Sequence, residues 1–309
     1  MQREHGIIVP RDDSAIDIAE GFLLPPEHPR APRRTPPPGA TDCHAHIFGP
    51  FDRFPLSPER HYTPAEFPVE RYLAMLDDIG FARGVLVQGG AHGTDCGALL
   101  SALDLAPRRL RGIALVEPQV TDAQLLMMSE RGICGARFSR LPDGLNYGAV
   151  PIEALFGLST RLLQFGWHAQ LQASSDHLVA ILPELMKLKV PLVLDHMALV
   201  DVKRGVGDLS FQMLLRWLGE GKIWLKMTAY RASEQYPHYE DVAPFHARLL
   251  AENPERLIWG SDWPHVHLRT NMPDVGQLVD VFDAWTSDET LRRRILVDNP
   301  AVLYGFDAP

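Results

Sequence analysis

Cysteine is scarce in this chain of 309 residues. Cys43, Cys96 and Cys134 are odd in number and show no C-x-x-C spacing. That excludes a disulfide framework or a cysteine zinc site and fits a reducing cytoplasm. Long apolar runs are also missing; none approaches the roughly 20 residues needed to cross a bilayer. The first 22 residues carry Glu4, Asp12, Asp13, Asp17 and Glu20 with no apolar core, so no secretory signal is expected. Positive charge is in deficit, with a net charge of −9. That balance argues against nucleic acid or an anionic membrane as partner. It leaves room for a small anionic substrate, because a few buried arginines can set the local sign. There is no internal repeat, and no G-x-G-x-x-G follows the first apolar run.

What is present begins with a proline-rich arm. Residues 1–40 contain Pro25, Pro26, Pro29, Pro32 and Pro36 to Pro38, with Arg30, Arg33 and Arg34 among them. Proline at this density breaks helix and strand alike. The arm is expected to be extended, either as a free tail or lying on the barrel or on a second subunit.

From residue 41 a rhythm sets in. Eight short apolar runs recur, at 41–48, 84–89, 112–117, 132–138, 167–172, 190–196, 223–228 and 257–262. Helical patterns lie between them. Val69, Tyr72, Leu73, Leu76 and Ile79 follow the 3.6-residue period and Gly80 is placed to stop the helix. Leu155, Leu158, Leu162 and Phe165, followed by Gly166, do the same. Strands alternating with helices give parallel βαβ units, and eight such units close into a single (β/α)8 barrel over residues 41–309. An open doubly wound sheet is the alternative, but its glycine fingerprint is absent.

A barrel of this kind works at the C-terminal ends of its strands. Those ends collect His44 and His46, then Arg137, Gln172, Asp195, His196, Arg231 and Asp262, with His92, His265 and His267 just beyond. His44 and His46 share one strand face, about 6.6 Å apart, so both can reach one metal ion or one substrate oxygen. Asp42 has the same parity and is expected either to orient a histidine from below or to serve as a buried hydrogen-bonding group. His196 ends a branched apolar run, as a site residue or a core histidine; Asp195, of opposite parity, is expected between sheet and helices. Asp262 is poor as a core residue, because burying an unpaired acid costs several kcal/mol; it suits a general base or a metal ligand. Arg137 and Arg231 offer planar forks for a carboxylate or sulfonate, unless they pair with neighbouring acids. Arg140 fits either site or surface. Tyr62 lies in the loop after the first strand, covering the site or packing under it. Lys226 sits mid-strand, either as a cation below the site or as a barrel-layer residue.

T-D-C-H-A-H-I-F (41–48), V-Q-G-G-A-H-G-T-D (87–95), G-A-R-F (135–138), L-D-H-M (194–197) and W-G-S-D-W-P-H (259–265) together resemble the amidohydrolase superfamily. The branch they resemble is that of the pyrone-dicarboxylate lactonases and sulfomuconolactone hydrolases. The resemblance runs over residues 40–307. It implies a distorted amidohydrolase-type (β/α)8 barrel that hydrolyses a lactone in aromatic-compound catabolism. Asp262 would activate water, His44, His46 and His196 would polarise the carbonyl, and Arg137, Arg231 and Tyr62 would hold acidic substituents. His92 and Gln172 are carried as further substrate-binding candidates. The chain departs from the branch at Gly90, where a serine is usual, at Asp143 and Leu199, where arginines are usual, and at Gln172, where an aromatic is usual. A lactone with fewer or different acid groups than the pyrone dicarboxylate is therefore expected. No obligatory metal is expected; zinc or another divalent ion on His44, His46 and Asp262 is the alternative. A zinc-dependent decarboxylase or other carbon–carbon lyase, and a non-catalytic binding barrel, are the competing functions. A cytoplasmic protein is expected, with a homo-oligomer left open.

Overall fold

The computed structural model describes residues 22–140 and 150–307. The start of the arm and Asp143 lie outside the described residues. Each of the eight apolar runs becomes a strand of one parallel sheet: β1 (Thr41–Ala45), β2 (Arg83–Val87), β3 (Leu110–Ala114), β4 (Ile133–Arg140), β5 (His168–Ala173), β6 (Leu192–Leu194), β7 (Ile223–Met227) and β8 (Leu257–Trp259). They neighbour one another in chain order from β1 to β8. The seam between β8 and β1 is closed by residues just past β8. Asp262 N–H donates to the His44 carbonyl and His46 N–H to the Trp263 carbonyl, each at 2.7 Å. Gly260 permits this approach, since a Cβ there would lie 2.6 Å from His44 Cβ. The fold is thus a (β/α)8 barrel distorted at its seam, and not an open sheet.

Outside the sheet lie α1 (Val69–Asp78), α2 (Gly97–Leu105), α3 (Asp122–Glu130), α4 (Glu153–Gln164), α5 (Ser175–Ala180), α6 (Leu182–Leu185), α7 (Leu209–Gly219), α8 (Ala229–Ala232), α9 (Ala243–Glu252), α10 (Val275–Trp285), α11 (Glu289–Arg293) and α12 (Asn299–Tyr304). Helix α1 buries Tyr72, Met75 and Leu76 and is stopped at Gly80, whose φ is +74°. Helix α4 buries Leu155, Leu158 and Leu162 and stops before Gly166. None of the helices among the described residues is long and apolar enough to cross a membrane.

The barrel interior has an apolar floor. Cys43, Val85, Val87, Ile113, Val193, Trp224 and Ile258 pack there against Tyr304 and Phe306 from the C-terminal segment, which plugs that end. The charged groups sit above this floor. Residues 22–40 form neither helix nor strand and run along α10 and α11. Arg30 pairs with Asp280 at 2.6 Å, and the buried Arg292 donates to the carbonyls of Thr35 and Arg34. Leu23 N–H reaches the Leu268 carbonyl at 2.8 Å.

Candidate active site

Inward-facing side chains on β4 and β5 stand in three rungs, set by the pairs Gly135–His168, Arg137–Gln170 and Ser139–Gln172. His168 is lowest, its ring edge-on to the plug residue Tyr304 at 5.4 Å. Arg137 and Gln170 stand at the level where the other charged groups converge. Above them Ser139 Oγ donates to Gln172 Oε1 at 3.3 Å, which places Gln172 towards the mouth.

Strand β1 delivers its histidines through a bulge. Asp42 pairs with Gly84 but Ala45 with Leu86, so β1 takes three steps where β2 takes two. The extra residue re-aims the side chains around it. Cys43 faces the floor, His44 reaches the barrel centre, and Asp42 turns outward instead of orienting an imidazole ring. Its carboxylate accepts from Ser261 N–H at 2.8 Å, Ser261 Oγ at 2.6 Å, Tyr72 Oη at 3.2 Å and the His44 main-chain N–H at 3.2 Å. Burial pushes its pKa up to about 6 despite these four donors.

Asp195 also departs from expectation, lying inside the barrel rather than between sheet and helices. Val193 of β6 and Asp195, just past the strand, face the barrel interior alike. His196 faces inward as well, because the strand ends at Leu194 and His196 adopts a φ of +50°. Asp195 Oδ2 accepts from Arg137 Nε and Gln170 Nε2, both at 3.1 Å. Its Oδ1 lies 3.3 Å from His44 Nδ1 and 3.5 Å from Lys226 Nζ. Lys226, fully buried, donates to Gln170 Oε1 at 2.7 Å and approaches His44 Nδ1 to 3.2 Å.

Asp262 follows β8 with a φ of +60°, which swings its carboxylate over the centre. Oδ2 accepts from Tyr230 Oη at 2.6 Å and Arg231 Nε at 2.5 Å. Oδ1 faces His46 Nε2 at 3.3 Å and His44 Nε2 at 3.6 Å. The rings of His44 and His196 lie 4.6 Å apart. Burial acts to raise the pKa of both carboxylates, but the surrounding positive groups outweigh it. Arg231 holds Asp262 well below the usual range, and Lys226 and Arg137 do so for Asp195. Burial takes His44 well below its usual value and His196 down to about 4. At neutral pH the centre therefore holds two carboxylates and neutral His44 and His196 rings.

The structure brings His44, His46, His196, Asp262, Arg137 and Arg231 together. Each arginine uses its Nε on a carboxylate, so neither presents its whole fork to a ligand. Tyr62 and His92 border the centre through Phe48, whose ring lies 6.2 Å from those of His46 and Tyr62 and 6.1 Å from that of His92. Arg140 is a surface residue paired with Glu153 at 2.6 Å. Sequence reasoning passed over Gln170 and Tyr230. Gln170 could have been found from its parity with Gln172, whereas nothing in the sequence singles out Tyr230 beside Arg231. His265 is fully buried beside Tyr230, its ring edge-on at 5.2 Å, and neither ring nitrogen has a hydrogen-bond partner among the described residues.

His44, His46 and Asp262 bring one donor atom each to within 4.8 Å of one another, and so do His44, Asp195 and His196. In the first group the separations are 3.3, 3.3 and 3.6 Å. Ligands about 2.0–2.1 Å from a tetrahedral zinc ion have similar spacing, so these residues could hold a divalent metal.

A family model described as amidohydrolase matches residues 41–306. The chain is 34% identical to the 2-pyrone-4,6-dicarboxylate hydrolase of Comamonas testosteroni over 301 residues, covering 94% of this chain and 98% of that protein. It is also 34% identical to the 4-sulfomuconolactone hydrolase of Hydrogenophaga intermedia, covering 95% and 97%. A 2-pyrone-4,6-dicarboxylic acid hydrolase-like structure from Acinetobacter baumannii, solved with citric acid bound, superposes with a TM-score of 0.74. Its identity is 30%, and the match covers 87% of this chain and all of that one.

Proposed function

The chain belongs to the amidohydrolase family, and on that premise we propose that it hydrolyses a small anionic lactone in aromatic-compound catabolism. The observation that carries the proposal is the two-sided environment of Asp262. Tyr230 and Arg231 occupy one oxygen, while the other faces His44 and His46. Asp262 stays ionised, and its Oδ1 takes a proton from water as the water oxygen bonds to the lactone carbonyl carbon. His44 and His196, as neutral rings, donate N–H to the carbonyl oxygen as charge develops on it. His46 donates Nδ1–H to the Val87 carbonyl at 2.7 Å, which orients its ring with Nε2 towards the reacting centre. When the ring C–O bond breaks, Asp262 returns its proton to the leaving oxygen. An enolate leaving group needs little further help.

Arg137 and Arg231 keep guanidinium N–H groups for an acid substituent of the substrate, with Tyr62, His92 and Gln172 lining the approach. Three cations (Lys226, Arg137, Arg231) face two carboxylates (Asp195, Asp262), which leaves one excess positive charge. That suits a lactone with fewer acid groups than a dicarboxylate. A divalent ion held by His44, His46 and Asp262 would supply Lewis-acid polarisation and a more acidic water.

The test is a panel of carboxylated and sulfonated lactones assayed with the wild type and Asp262→Asn. The variant should lose about 10²–10⁴-fold in kcat while a lactone still raises its Tm. Equal turnover by the two proteins would remove Asp262 as the base.

A further inference from the structure

We infer that Phe22 of the proline-rich arm is a positioning residue: through His267 it holds Tyr62 in an aromatic wall at the barrel mouth, against which the substrate ring rests. The inference rests on the hydrolytic reading and gives the arm a part in substrate binding.

The wall is a chain of ring contacts. It starts at the site with His46, whose ring centre lies 6.2 Å from that of Phe48. Tyr62 stands edge-on to Phe48 at 6.2 Å, with the two planes 84° apart. His267 meets Tyr62 at 4.3 Å, and Phe22 meets His267 at 5.8 Å with planes 88° apart. The Arg269 guanidinium covers Phe22, its carbon 4.9 Å from the ring centre. Edge-to-face pairs at such distances attract, because the positive rim of one ring meets the negative face of the next. Phe48 and Tyr62 are buried, so packing sets their places. His267 and Phe22 are only half-buried, so the outer end of the wall depends on what supports it.

The loop that carries His267 does not support itself. Between β8 and α10, His265, His267 and Asn271 all have left-handed backbone, with φ of +60°, +71° and +56°. Residues other than glycine keep that conformation only where surrounding contacts enforce it. At the inner end the contact is Arg231, whose Nη2 donates to the Val266 carbonyl at 3.3 Å. At the outer end it is the arm, where Leu23 N–H donates to the Leu268 carbonyl at 2.8 Å beside the Phe22–His267 pair. The arm can bear on the loop because it is itself fixed. Arg30 N–H donates to Asp274 Oδ2 at 3.1 Å. A Cβ on Gly276 would lie 1.8 Å from the Arg30 carbonyl oxygen, so the arm main chain lies directly against α10. Between Leu23 and Arg30, Pro25, Pro26 and Pro29 lock φ, and Pro25 and Pro29 are buried. That stretch is a stiff spacer and not a slack tether.

Such a wall touches the body of a bound lactone and not its reacting carbon. It binds ground state and transition state alike, so disturbing it raises KM and leaves kcat nearly unchanged. The experiment compares full-length wild type, Phe22→Ala, Phe22→Tyr, His267→Ala and the Phe22→Ala/His267→Ala double variant. Steady-state kinetics on a turned-over lactone reads KM and kcat separately. Trypsin cleavage of the native protein after Arg269, which is exposed, reads how often the loop opens. Loss of one aromatic pair should raise the KM of Phe22→Ala about 3–10-fold. Phe22→Tyr, which keeps the ring, should retain the wild-type KM. Because Phe22 acts through His267, adding Phe22→Ala to His267→Ala should raise KM no further. Cleavage after Arg269 should quicken about 3–10-fold in Phe22→Ala. Wild-type KM and cleavage in Phe22→Ala, even with a lowered Tm, would overturn the inference. So would an equal KM rise from Phe22→Ala with and without His267. If no lactone is turned over, the hydrolytic reading fails, while the cleavage rates still judge whether Phe22 holds the loop.

Discussion

Two buried aspartates flank the same seam and have opposite electrostatics. Asp262 is held ionised by the Arg231 guanidinium. Asp42 has only neutral donors and its pKa rises to about 6. A carboxyl group whose folded pKa lies above its unfolded value of 3.8 stabilises the fold fully below pH 3.8 and loses that contribution as pH climbs through 6. A rise from 3.8 to about 6 corresponds to about 3 kcal/mol. The Tm advantage of wild type over Asp42→Asn should therefore shrink between pH 4 and 7, as followed by thermal melts. A constant difference would show that Asp42 does not titrate in this range. Asp262 was legible in the sequence because an acid ending an apolar run has no apolar role. The outward position of Asp42 was not, because a bulge leaves no mark in residue order. The arginines were legible as types, but their acids, Asp195 and Asp262, come from other strands and are set by the closed barrel.

At the level of elements, all eight strands and the two helices argued from spacing could be read, because apolar periodicity and glycine stops are local signals. Inward or outward direction was less secure. Strand β6 has only three residues and ends in a left-handed turn that brings His196 inward, so counting parity back from His196 misplaced Asp195. The seam follows the same logic, since it depends on a glycine lacking a Cβ. In Gly260→Ala the new carbon would meet His44 Cβ at 2.6 Å and His44 N at 3.0 Å. Strand β1 would have to move away from β8, carrying His44 and His46 off Asp262. The expected cost is about 1–3 kcal/mol of stability. Because a displacement of 1 Å at a reacting centre can cost about 10²-fold, kcat should fall by that order. Activity measured below the variant's Tm separates the two effects; full activity there would mean the seam absorbs the methyl elsewhere.

At the scale of the whole molecule, the net charge of −9 and the cationic centre act over different ranges. Arg137, Arg231 and Lys226 are buried or nearly so and each lies close to a carboxylate. Their excess charge is felt by a substrate already inside the barrel. A substrate still in solution meets the acidic surface first. The Debye length is about 30 Å at 0.01 M salt and about 8 Å at 0.15 M, so added salt screens the outer repulsion and leaves the buried attraction almost intact. For an anionic lactone, kcat/KM should rise over that range by less than about tenfold, while a neutral lactone should show no trend. Stopped-flow or initial-rate assays at constant pH measure this directly. A steep fall with salt would mean that the cationic field reaches out of the mouth and steers the substrate in, and the arginines would then act on capture as well as on binding.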